Sequence, residues 1–127
     1  MIGEKYIVTI GRPSYQKNPF FLVDVISGVN KRHPDVKFFL LGVGFYSPDL
    51  EIMKKKIEEK GLQDTIILKD WLDHHQTMEY VKNSIMYLTV SRYEGLPLAV
   101  VEAMAMSKCV VASKVVGNVD CVRDRYS

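Results

Sequence analysis

The sequence predicts an α/β fold: a Rossmann-like doubly wound parallel sheet of about five strands with helices on both faces. Three observations predict it. Short apolar runs alternate five times with segments whose apolar residues recur at helical spacing. The runs are continuously apolar and rich in β-branched residues, the pattern of strands covered on both faces. Glycines and prolines fall at the boundaries, as helix stops and first-turn residues. The 127 residues suit one domain with a real core.

The elements follow in order. Tyr6 to Ile10 is a buried strand that Gly11 ends. After a polar loop from Arg12 to Lys17, Asn18 and Pro19 form a helix start, a cap and then a first-turn proline. Phe21, Leu22, Val25, Ile26 and Val29 give that helix its apolar face, and His33-Pro34 ends it. Val36 to Leu41 is the second strand, closed by Gly42-Val43-Gly44. Asp49 caps a helix with Leu50, Met53 and Ile57 inward, and Gly61 stops it. Thr65 to Leu68 is the third strand. Asp73 and Gln76 have the spacing of a capping box ahead of a helix bearing Met78, Tyr80 and Val81. Ile85 to Val90 is the fourth strand. Pro97 suits the first position of the next helix, and Val110 to Ala112 is the fifth strand. Asp120 to Arg125 begins another helix.

Composition excludes several classes. Hydrophobic residues make up 47% and charged residues 25%, ordinary for a soluble globular protein. A net charge of +2 without a basic face argues against a nucleic-acid partner. The apolar runs fall short of the roughly 20 residues that span a bilayer. Glu4 and Lys5 interrupt the opening residues, so no signal peptide is expected. Cys109 and Cys121 read as two reduced thiols, which implies a cytoplasmic location. No cysteine-histidine spacing matches a zinc site, and the adjacent His74 and His75 cannot face one way on a helix. Lys54-Lys55-Lys56 reads as a solvated face, with contact to anionic lipid as the alternative.

The chemistry belongs where the strand order reverses, beyond the carboxyl ends of the strands. With an order of 3-2-1-4-5, that crevice lies between strands one and four. The loop from Gly11 to Asn18 then faces the loop from Ser91 to Pro97. The first offers Arg12 and Lys17, and the second offers Glu94, Gly95 and a helix N-terminus. Glu102 is the single charge between Leu98 and Met106, a carboxylate on an apolar helix that needs a partner or a wet cleft. Cations and free N–H groups suit phosphate, whereas ionised carboxylates accept from sugar hydroxyls. Together they describe a site for a nucleotide sugar.

The stretch Glu94-Gly95-Leu96-Pro97-Leu98-Ala99-Val100-Val101-Glu102-Ala103-Met104-Ala105 resembles the Glu-x7-Glu motif of the retaining glycosyltransferases with the GT-B fold, the glycosyl transferases group 1. Ile10-Gly11-Arg12 with the later Lys17, Leu40-Leu41-Gly42-Val43-Gly44, and Val110-Val111-Ala112-Ser113 with Gly117-Asn118 also resemble that family, in the right order. Three positions depart from its pattern. Asn18 stands where glycine is usual, Pro97 occupies a frequent glycine position, and Ser107-Lys108-Cys109 replaces Gly-x-Pro.

The resemblance implies a donor-binding domain over residues 1–127, incomplete at its C-terminal end and lacking the acceptor domain. It implies that Arg12, Lys17 and the backbone at Leu98 hold the donor diphosphate. Glu94, the catalytic candidate, would orient the transferred sugar with Gly95 and Leu96, and Glu102 would hold the ribose hydroxyls. The base would lie near Gly42 to Gly44 and the loop from Lys69 to Leu72. The implied reaction moves a hexose from a nucleoside diphosphate sugar to a saccharide or lipid-linked acceptor, and the fragment alone would be inactive. That places the whole protein in polysaccharide or lipopolysaccharide biosynthesis, at the inner face of the membrane if the acceptor is lipid-linked. No metal or cofactor is implied, since the nucleotide sugar is a substrate. The alternative is a non-catalytic nucleotide-sugar binding or regulatory module of the same fold.

Overall fold

A computed structural model describes residues 5–11, 13–14, 16–43, 49–70, 72–91, 104–105 and 109–112. Among the described residues the elements run β1 (Tyr6–Ile10), α1 (Pro19–Arg32), β2 (Lys37–Leu41), α2 (Leu50–Glu59), β3 (Ile66–Lys69), α3 (His74–Lys82), β4 (Met86–Thr89) and β5 (Val110–Ala112). Every strand pairing is parallel, and the sheet order is β3-β2-β1-β4-β5. The order that the crevice reading required is therefore present. Met104 and Ala105 are helical, and the rest of the stretch from 92 to 103 lies outside the described residues, as does the helix expected at 120–125.

Strand periodicity distributes the core between two layers. Ile7, Phe38, Leu40, Ile66 and Leu88 point to one face of the sheet, where Val23 and Ile26 of α1 and Met53 and Ile57 of α2 cover them. Val8, Phe39, Leu41 and Tyr87 point to the other, beneath Val81 of α3 and Met104. Val23 and Ile26 are fully buried, and burial of each such side chain stabilises the fold by about 1.5–3 kcal/mol. On the α3 side, Tyr6 and Phe39 meet edge to face with centroids 4.8 Å apart. The Tyr6 hydroxyl donates to the Tyr80 carbonyl at 2.7 Å, so this phenol enters the core without an orphaned polar group.

Local signals fix the helix ends well. The Asp73 carboxylate accepts from the Gln76 N–H at 2.7 Å, and the Gln76 side chain accepts from the Asp73 N–H at 3.2 Å, completing the predicted capping box. At Gly61, φ is +67°. Its N–H donates to the Glu58 carbonyl at 3.0 Å and the Leu62 N–H to the Ile57 carbonyl at 3.0 Å, which is a Schellman stop for α2. Two expected caps differ. Asp49 and Asn18 occupy the N-cap positions of α2 and α1, but neither side chain bonds to its helix. Strand bounds shift slightly: β2 starts after Val36, β3 runs one residue past Leu68, and β4 drops Ile85 and Val90. Ile85 is 45% exposed, so apolarity alone did not carry it into the sheet.

The two helices that share a face are also tied by charge. The Lys56 ammonium donates to the Phe20 carbonyl at 2.7 Å and lies 3.0 Å from the Asp24 carboxylate, which Lys60 approaches to 3.4 Å. Those cations hold the Asp24 carboxyl below the usual carboxylate range, with the Lys56 hydrogen bond the main cause. Only Lys54 and Lys55 of the lysine run face solvent as expected. The Lys56 side chain, 24% exposed, is turned onto α1.

Candidate functional site

The crevice is built where β1 sits between β2 and β4. The chain leaves β1 through α1 toward β2 on one side, whereas β4 is followed by β5 on the other. Adjacent connections therefore diverge above β1 and β4 and leave room for a ligand. Gly11 ends β1 at the floor of this opening. Its N–H donates to the Leu41 carbonyl at 2.9 Å, fastening the β1 exit to the β2 exit. Its φ of +132° is a conformation that L side chains rarely adopt.

Gly11 is also crowded by one particular side chain. A Cβ at this position would lie 2.9 Å from Lys17 Cε, 3.2 Å from Cδ and 3.3 Å from Cγ. The Lys17 stem thus lies across the Gly11 backbone, which glycine alone leaves open. Lys17, one of the two cations expected of this loop, therefore lies at the β1 exit. The loop between them is held by short-range bonds. The Asn18 N–H donates to the Ser14 carbonyl at 3.0 Å, and the Lys17 N–H donates to the Ser14 hydroxyl at 3.4 Å.

Asn18 then turns the chain into α1 with φ 54° and ψ 57°, and it is the one non-glycine residue with positive φ among the described residues. Asparagine is among the few L residues that adopt this left-handed conformation readily. That explains the departure in sequence: a position that takes glycine elsewhere needs positive φ, and asparagine supplies it. Its side-chain amide does not cap α1 but donates to the Val90 carbonyl at 3.4 Å, at the exit of β4. The sequence reading made Asn18 a helix cap, whereas its amide bonds to the β4 exit. The only hint was asparagine in place of glycine.

Thr9, Gly11, Pro13, Lys17, Thr89 and Val90 line a cavity of about 20 Å3 between the β1 and β4 exits. That is room for one water molecule, so the cavity is the floor of a site rather than its whole volume. Beside it, the hydroxyls of Thr89 and Ser91 are buried and 3.1 Å apart, one donating to the other. At the neighbouring exits the Val43 N–H donates to the Lys69 carbonyl at 3.1 Å. This brings Gly42-Val43 and the start of the loop from Lys69 to Leu72 together. Gly42 has φ +74°, and among the described residues nothing lies within 4 Å of a Cβ placed there.

Of the expected site residues, Lys17 falls among the described residues and packs over Gly11. Arg12, Glu94, Gly95, Leu96, Leu98 and Glu102 lie outside the described residues. No group of three or more histidine, cysteine, aspartate or glutamate side chains with metal-binding proximity occurs among the described residues. Neither is any helix among them long and apolar enough to cross a membrane.

Comparison with known proteins matches residues 2–127 to the family model described as glycosyl transferases group 1. Alpha-D-kanosaminyltransferase of Streptomyces kanamyceticus is 26% identical over 118 residues, 93% of this chain and 30% of that protein. The gpi3 subunit of phosphatidylinositol N-acetylglucosaminyltransferase of Schizosaccharomyces pombe is 33% identical over 111 residues, 87% of this chain and 24% of that subunit. Among solved structures, a mutant of S. aureus TarM in complex with Fondaparinux, alpha-GlcNAc-glycerol and UDP superposes with a TM-score of 0.82 at 29% identity. The alignment covers 92% of this chain and 23% of that one. The chain thus spans less than a third of the length of these relatives.

Proposed function

This chain belongs to the glycosyl transferases group 1 family, and from that premise we propose that it is the donor-binding part of a retaining glycosyltransferase. The whole enzyme would move a hexose from a nucleoside diphosphate sugar to a saccharide or lipid-linked acceptor. The observation that carries this reading is Lys17 lying across Gly11 at the β1 exit, where the sheet order opens a crevice. A relative's structure holding UDP on the same fold supports it.

Electrostatics support a diphosphate here. The N-terminus of α1 opens at Pro19 beside Lys17, and the first turn of α1 contains no acidic residue. The positive end of the helix dipole is therefore not offset locally and adds to the lysine charge. In the transferase reaction, negative charge grows on the departing diphosphate. Lys17 with Arg12 and the backbone at Leu98 would stabilise that charge, acting by position and field. Glu94, with Gly95 and Leu96, would orient the sugar, and Glu102 would accept from the ribose hydroxyls. Gly42-Val43 and Lys69 would form the wall for the base. No metal or cofactor is needed in this scheme. The whole protein would work in the cytoplasm, beside the inner face of the membrane when its acceptor is lipid-linked.

Calorimetric titration of the intact protein with UDP, GDP and ADP tests the reading. Binding of at least one, weakened at least tenfold by Arg12→Ala, is expected from the loss of a charge-assisted hydrogen bond of about 1.5–3 kcal/mol. Failure of all three to bind would refute it.

A further inference from the structure

The geometry points to Asn18 as a positioning residue that sets the two sides of the donor crevice at a fixed separation. One side is the loop that runs from Gly11 to Asn18 and carries Lys17, and the other is the β4 exit at Val90. The Asn18 side-chain amide crosses between them to the Val90 carbonyl at 3.4 Å, joining residues 72 apart in sequence. Both ends of this link are anchored. On one, the Asn18 N–H is held by the Ser14 carbonyl and the Asn18 carbonyl accepts from the Leu22 N–H at 3.1 Å. On the other, Val90 is buried against the core and lines the same small cavity as Lys17.

The left-handed backbone makes the link possible. At φ 54° and ψ 57° the side chain cannot serve as a helix cap, and none of the usual cap bonds is made. Glycine would adopt this backbone as easily, so conformation alone does not require an amide. An amide N–H directed to the β4 exit is what this chain has in addition. Lys17 precedes Asn18 directly and is packed over Gly11, which is bonded to the β2 exit. The exits of β2, β1 and β4 are therefore fastened in series through Gly11, Lys17 and Asn18. The link therefore sets the position of Lys17 and its loop relative to the β4 exit at Val90.

This inference rests on the donor reading, and one experiment separates the two. UDP, GDP and ADP are titrated into the intact protein, its Asn18→Gly and Lys17→Met variants and the double variant, with urea midpoints measured for each. Asn18→Gly keeps the left-handed backbone and removes only the amide. It should weaken UDP about threefold to tenfold, as expected for one long neutral hydrogen bond. The double variant should bind no more weakly than Lys17→Met, because the link acts through the placement of Lys17. If Asn18→Gly leaves the affinity unchanged while the parent binds UDP, the link has no positioning role and the donor reading stands. Additive losses in the double variant, or a lower urea midpoint as the only effect, would likewise overturn it in favour of a purely structural bond. If the parent binds none of the three nucleotides, the donor reading fails and the positioning role fails with it.

Discussion

Replacing Gly11 with alanine should damage the fold and the site by separable amounts. The new Cβ would sit 2.9 Å from Lys17 Cε, with Cδ and Cγ at 3.2 and 3.3 Å. The lysine stem is flexible and can swing aside, so the clash is relieved at the expense of Lys17's position. The backbone strain has no such relief, because φ is +132° and the Gly11 N–H is held by the Leu41 carbonyl at 2.9 Å. Holding a non-glycine residue in such a region costs on the order of 1–3 kcal/mol. With a urea slope of about 2 kcal/mol/M, a loss of about 2 kcal/mol lowers the midpoint by about 1 M. Displacing the ammonium forfeits a charge-assisted hydrogen bond of about 1.5–3 kcal/mol, or roughly tenfold to a hundredfold in UDP affinity. Urea denaturation and calorimetry on the same preparation read both quantities. Lys17→Met is the control, since it keeps an apolar stem over Gly11 and should lose affinity with little change in midpoint. An unchanged midpoint in Gly11→Ala would refute the strain argument. A lowered midpoint with full UDP affinity would refute the placement of Lys17 at the phosphate.

Three further outcomes are expected. Asp73→Ala removes the carboxylate that caps α3 and should cost about 0.5–2 kcal/mol by urea denaturation; a change below 0.3 kcal/mol, about the noise of such fits, would argue against the capping box. Tyr6→Phe deletes the 2.7 Å bond to the Tyr80 carbonyl while keeping the aromatic packing. It should cost about 1 kcal/mol, with UDP affinity unaltered. Asp24 should titrate below the usual carboxylate range because of Lys56 and Lys60. Its folded pKa is depressed, so its contribution is present above about pH 4 and is lost as pH falls through the lowered value. The pair is exposed and contributes about 0.2–1 kcal/mol; a carboxyl resonance titrating at or above the ordinary value would contradict the ion pair.

How much was legible in sequence depended on how far each interaction reaches along the chain. The capping box of Asp73 and Gln76 and the glycine stop at Gly61 join residues three to five apart, and both were readable because their partners are fixed by helical geometry alone. The apolar runs gave the strands for a similar reason: a strand covered on both faces must be apolar throughout, whatever its neighbours. Strand ends were less legible. Ile85 is apolar but lies outside β4, because pairing with β1 begins at Met86.

For the site, residue type and spacing singled out Lys17, and the resemblance to the family gave it a phosphate role. Neither revealed that its stem needs a bare Gly11 beneath it, which depends on how the β1 exit folds back over the strand. Asn18 looked like a cap because an asparagine before proline is a common local signal. Its amide goes to Val90 instead, since the left-handed turn aims it away from α1 and the sheet brings β4 alongside. Lys56 looked solvated within a run of lysines, until α1 packed against α2 and offered it Asp24 and the Phe20 carbonyl. The sequence by itself thus determined the parallel α/β class and the helix boundaries that short-range bonds enforce, and it put Lys17 forward as a candidate cation. Only the tertiary structure decided which strand exits meet, where that cation lies, and which distant carbonyl the asparagine reaches. Those choices depend on contacts between residues tens of positions apart, and no local pattern encodes them.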